Sequence, residues 1–177
     1  TASFHRGHFD KVKEEVFQIG KLLQERGFRV YRHKIEAWIR NNHRVPVTDE
    51  DAQKQPSNQY FEFHVKVRRP IESDVSDLMR ICDEFNVHLS RSVSNRVGNS
   101  EQRFITARYG NVGRETAEHR FHQLLTKLKS NGDVLSNVLK EYTLYDDNLE
   151  IERGWGSTSP CERCDTPCVF EMAWDIA

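Results

Sequence analysis

The chain lacks an excess of charge of either sign: 26 Lys and Arg stand against 27 Asp and Glu over 177 residues, a formal net charge of −1. That balance argues against a carrier that holds nucleic acid through bulk charge, and leaves only a local basic stripe to be considered. It also lacks any apolar run near the roughly 18 residues a membrane span needs, and any secretory signal pattern. Glycine and proline are modest, at 9 and 5, which excludes collagen-like and low-complexity chains. No Walker loop, GxGxxG, GxSxG or HExxH occurs, and no internal repeat. Cysteine is scarce: of four, three crowd near the C-terminus. Too few for a disulfide framework, they imply a reduced, cytoplasmic setting. The first residue is Thr1 rather than Met, as in a processed or truncated chain.

What is present is regular alternation broken by helical periods. Phe9, Val12, Val16, Ile19 and Leu23 step by three and four, which predicts an amphipathic helix over 7–26 ended by Gly27. FRVYRHKIEAWIR (28–40) alternates Tyr31, His33, Ile35, Ala37 and Ile39 with charged residues and Trp38, and predicts a strand. Residues 41–58 hold two prolines and five Asn or Asp without a period. They predict a long loop, and loops of that length are usually functional or disordered, so a lid is expected here.

From Tyr60 the pattern sharpens. YFEFHVKVR sets Phe61, Phe63, Val65 and Val67 against Glu62, His64, Lys66 and Arg68. Val75, Leu78, Cys82 and Phe85 then make a helix stripe, with Ser73 or Asp74 as its cap. Residues 87–95 and 102–109 predict two strands joined by a tight turn at Gly98-Asn99. A helix follows over 113–130 with Ala117, Phe121, Leu124, Leu125 and Leu128 inward, and a last strand over 134–146. The order β-α-β-β-α-β over 60–146 predicts an α+β ferredoxin-like plait, spatial order 4-1-3-2, with both helices on one sheet face. The N-terminal helix and strand (1–40) then have only an edge to join. The expected division is 1–40 extension, 41–58 loop, 59–148 core and 149–177 an irregular arm.

In such a plait the other sheet face is bare, and the alternation sends Glu62, His64 and Lys66 to it. Lys34, Glu36, His88, Ser90, Thr106, Arg108 and Glu141 are expected beside them. Arg and Lys in an array of this kind give charge-assisted hydrogen bonds to phosphate or carboxylate. The sharpest subset is His64-Val-Lys66 and His88-Leu-Ser90: two histidines on strands, one suited to act as base and one as acid on a phosphate ester. A small anionic ligand or nucleotide on this face is therefore the first expectation, with His64 and His88 catalytic and Glu36, Glu62, Lys66, Ser90 and Arg108 binding. A hydrolase of the phosphoesterase type would follow. The bland alternative is a solvated face, since antiparallel sheets commonly turn polar residues to water. The other alternative is a non-catalytic module that docks a partner or a second copy through the same face.

Two metal candidates remain. Cys161, Cys164 and Cys168 offer three soft ligands, the first pair at zinc-knuckle spacing, though no fourth ligand follows in sequence. Asp146, Asp147 and Glu150 offer hard oxygens after the last strand, in a position where Asp-Asp is also ordinary turn chemistry. RNA binding of the kind plaits often host needs aromatics on the central strands. Arg103-Phe104-Ile105-Thr106-Ala107-Arg108-Tyr109 lacks that motif's Gly-aromatic pattern, so nucleic acid is not the expected partner.

Overall fold

In the computed structural model, residues 1–40, 42–71, 73–90 and 95–152 are described. They form α1 (Phe9–Glu25), β1 (Lys34–Trp38), α2 (Asp49–Ala52), β2 (Tyr60–Pro70), α3 (Ser76–Glu84), β3 (His88–Leu89), β4 (Asn95–Val97), β5 (Ser100–Gly110), α4 (Arg114–Ser130) and β6 (Val134–Asp146). A single 3-10 turn follows at Leu149–Glu152. The fold is mixed α and β, with one sheet in the order β1-β6-β2-β5-β3 and β4 paired to the far end of β5. All the pairings are antiparallel.

The strict alternation of β2 explains its central place. Phe61, Phe63 and Val65 are fully buried and Val67 nearly so. They meet Leu78, Ile81 and Cys82 of α3 and Ala117, Phe121, Leu124 and Leu128 of α4 in one apolar cluster. Phe63 sits edge-on to Phe121 at 5.1 Å between ring centroids, and Phe61 packs on Tyr142 at 4.7 Å. Both helices therefore cover one sheet face. Cys82 lies in this cluster, and burial pushes its thiol up to about 12, so it is packing rather than chemistry.

β1 joins the edge of β6, as the N-terminal extension required. It is shorter than its alternation predicted, running only from Lys34 to Trp38, and Tyr31 is 64% exposed rather than inward. The reason lies at its start. Arg32 is turned to Asp146 (Nε to Oδ1, 2.9 Å) and the His33 amide to Asp147 (2.7 Å). These side-chain anchors replace a strand ladder. Asp146 and Asp147 are thus occupied as clasps for the β1 entry, not as hard-metal ligands.

The predicted loop 41–58 contains a helical turn, α2, and is packed down rather than lid-like. Val45 and Ala52 are buried. The segment closes the start of α4: the Gly113 amide donates to Asp49 Oδ1 (2.7 Å), Arg114 N to Pro46 O (2.9 Å) and Glu115 N to Val47 O (3.3 Å). The helix N-terminus that an outside anion would use is filled by the chain's own carboxylate. Thr48 in turn caps α2 by accepting from the Asp51 amide.

Of the strand predicted over 87–95, the described residues place His88 and Leu89 in β3 and Asn95 in β4, and residues 91–94 lie outside the described residues. β4 forms the expected hairpin with β5 around Gly98. Gly98 has φ +59°, the left-handed conformation such a turn demands.

Candidate functional site on the open sheet face

Directly opposed residues of antiparallel strands project to the same side, so the register lays out the face away from α3 and α4. Leu139, His64, Thr106 and His88 form one row across β6, β2, β5 and β3. Trp38, Glu141, Glu62 and Arg108 form the next across β1, β6, β2 and β5. Glu36, Thr143 and Tyr60 form a third. These rows lie in the stretch of β6 between two bulges. One lies opposite Ile35/Glu36, the other opposite His64/Lys66, where Asn137 takes a positive φ of 48°.

At the centre, Glu62 is fully buried although it faces away from the helices. Its Oε2 accepts from Lys34 Nζ at 2.7 Å and from Arg108 at 3.0 Å. Lys34 also pairs with Glu36 at 2.6 Å. Burial pushes the Glu62 carboxyl up, but Lys34, Arg108 and His64 together outweigh it and hold the group at about 2. Burial likewise disfavours the Lys34 ammonium, and Glu62 and Glu36 more than restore it, leaving it raised. The Arg108 guanidinium stacks over the Tyr60 ring at 4.4 Å. Tyr60 donates to Asp146 Oδ2 at 2.7 Å. These contacts close a charged layer over the middle of the sheet.

Glu141 has the opposite character. It is 7% exposed and lies directly across from Glu62. Burial first, then the nearby Glu36 and Glu62 charges, lift its carboxyl to about 8, against the pull of Lys34. It is therefore a protonated acid at neutral pH. Glu141 Oε2, Glu62 Oε1 and Thr143 Oγ are buried without a hydrogen-bond partner among the described residues. Glu62 Oε1 has His64 Nε2 only at 3.6 Å, too far for a hydrogen bond.

The His64 Nδ1 lies 3.0 Å from Thr106 Oγ1, sharing a hydrogen bond with it. His88 is half-buried on the other side of the same threonine. The structure thus brings His64, His88, Glu62, Glu36 and Arg108 to one face. Lys66 is on it too, with its ammonium 5.0 Å over the Phe104 ring. Ser90 is nearby, but its hydroxyl accepts from the Phe104 amide at 3.0 Å while its own amide donates to Phe104 O. It fastens the chain after β3 to β5. Cys161, Cys164 and Cys168 lie outside the described residues, and no His, Cys, Asp and Glu group suited to a metal occurs among those described.

Sequence reasoning gave too little weight to Tyr60, Trp38 and Thr143. The period-2 signal of β2 carries Tyr60, but an aromatic at a strand start reads as core. Trp38 was visible in the β1 alternation as a lone apolar residue on a charged face. Thr143 is two residues from Glu141 and shares its face by period two, but a threonine in a strand is ordinary and drew no notice. No known protein family, curated protein or solved structure matches the chain. No helix among the described residues is long and apolar enough to cross a membrane.

Proposed function

We propose that the chain binds a small phosphate-containing molecule, a nucleotide among the candidates, on the open sheet face, and hydrolyses its phosphate ester there. One observation carries this: Thr106 is flanked in register by His64 and His88, with Arg108 and Lys66 on the same face. A phosphoryl group over Thr106 meets an imidazole on either side, about 10 Å apart at two strand spacings. One ring takes a proton from the attacking water. The other gives a proton to the departing ester oxygen as the P–O bond breaks. Arg108 and Lys66 offset the charge on the equatorial oxygens.

The residues from 60 to 146 are assigned to the ferredoxin-like plait. What supports this is the order β6-β2-β5-β3 with both helices on one face, the 4-1-3-2 arrangement. On spacing alone, Cys161, Cys164 and Cys168 are assigned to a zinc ion. Metal analysis is expected to find about one zinc per chain, lost in Cys164→Ser.

The test of the ligand reading is a titration with inorganic phosphate or a nucleotide, followed by histidine ring shifts. Both His64 and His88 signals are expected to move, and Arg108→Ala to weaken the response. If neither ring responds at millimolar ligand, the face does not bind phosphate and the proposal falls.

A further inference from the structure

The orphaned oxygens are not explained by phosphate. Glu141 Oε2 and Thr143 Oγ are polar atoms buried in the sheet face without a hydrogen-bond partner among the described residues, and such groups cost free energy unless a partner arrives. They flank one further anomaly. Trp38 is 71% exposed and stands directly opposite Glu141 in the β1–β6 register. An indole left in water on an otherwise charged face, with a buried carboxyl at its foot, has the parts of a base-recognition site: a stacking plane and a polar edge reader.

We propose that the phosphate-containing ligand is a nucleotide whose base stacks on Trp38 and presents its amino edge to Glu141, with Thr143 beside it. This rests on the phosphate reading of the same face and specifies the other end of the ligand. The spacing agrees: Trp38, Glu141, Glu62 and Arg108 are consecutive positions of one row, so their outer backbones are three strand steps apart, about 14 Å, and the Arg108 guanidinium shortens the gap by reaching back over β2 to Glu62. An extended nucleoside monophosphate spans such a gap. The chemistry of the edge fits a base. A carboxyl that keeps its proton at neutral pH, as Glu141 does, offers one donor and one acceptor side by side. Adenine matches with its ring N1 and its exocyclic amine, and cytosine with the equivalent pair. Guanine, through O6 and N1–H, and uracil, through O4 and N3–H, present an adjacent acceptor and donor as well.

The test uses the full chain in phosphate-free buffer with AMP, CMP, GMP, UMP and ribose 5-phosphate. Binding is read by tryptophan fluorescence and by histidine ring shifts. The signal of Trp38 is taken as the difference from Trp38→Phe, because the chain has three tryptophans. The nucleoside monophosphates are expected to quench Trp38 and to bind about tenfold more tightly than ribose 5-phosphate, the size of one base–aromatic stack. Trp38→Ala is expected to remove that advantage and leave ribose 5-phosphate binding unchanged. Since Trp38 is exposed, this variant keeps the fold. Glu141→Gln retains a donor and an acceptor and is expected to keep the AMP preference, whereas Glu141→Leu is expected to lose it. Equal binding of AMP and ribose 5-phosphate, with histidine shifts intact, overturns the base site and spares the phosphate reading. Absence of histidine shifts with every phosphate overturns that reading instead. A concentration-dependent dimer that dissociates in Trp38→Ala, with no nucleotide-specific quenching, overturns the base site in favour of self-docking.

Discussion

A carboxylate with no exposure is sustained only by the cations around it, and Glu62 has Lys34 and Arg108 on one oxygen. The layer is close to an all-or-none device. Taking two charges out of water costs several kcal/mol each, and their mutual attraction offsets this only while all partners are present. Glu62→Gln keeps the shape but strands the ammonium and guanidinium. It is expected to lower unfolding free energy by about 3–5 kcal/mol in denaturant titration. A loss under about 1 kcal/mol would mean that water already screens the layer. Truncating the opposite side of the same strand tests packing alone. Phe63→Ala is expected to cost about 3–5 kcal/mol, and a small value there would mean that Phe63 does not fill the space between β2 and α4. At this scale the sequence was a good guide to which residues of β2 face which way, because alternation is a direct consequence of the pleat. It could not say that Glu62 is sealed while Arg68, six residues on, is exposed. That depends on Lys34 and Arg108, which come from strands distant in the chain.

Among the elements, the join between the 41–58 segment and α4 is where local sequence said least and geometry says most. Gly113 needs no unusual φ there, yet a Cβ on it would lie 2.3 Å from the Thr48 carbonyl carbon and 2.4 Å from Val47 O. Those are backbone atoms held by the Gly113–Asp49, Arg114–Pro46 and Glu115–Val47 hydrogen bonds, so nothing nearby can swing aside. Gly113→Ala is expected to push the segment off the helix start and destabilise by about 1–3 kcal/mol, the usual cost of overpacking. Proteolysis within residues 44–55 should accelerate in parallel. An unchanged melting temperature and cleavage rate would show that the segment is not pinned there. The strand and helix types from 60 to 146 were legible because both periods are sustained over many residues. The β1 start was not, because side-chain anchors to Asp146 and Asp147 end that ladder early. Periodicity carries no sign of that event.

The molecule as a whole sets two opposed carboxyls across one strand pair, and their linkage to folding runs in opposite directions. Glu62 titrates from an ordinary 4.5 down to about 2 in the fold. The native state holds fewer protons there than the unfolded chain, so its contribution is present above 4.5 and is lost as pH falls toward 2. Glu141 moves from 4.5 up to about 8. Between those values the native state holds a proton that the unfolded chain has released, so stability declines as pH rises from 4.5 through 8. Taken by themselves, the two groups favour the fold most near the ordinary glutamate value, between the acid loss at Glu62 and the decline at Glu141. Glu141→Gln removes the titration without removing the shape. It is expected to flatten the decline between 4.5 and 8 while leaving the acid limb below 4.5 in place, as followed by melting temperature across a pH series. If the decline persists unchanged in Glu141→Gln, the proton is held elsewhere on the face. The neutral donor–acceptor edge offered to the base beside Trp38 would then have to come from another group.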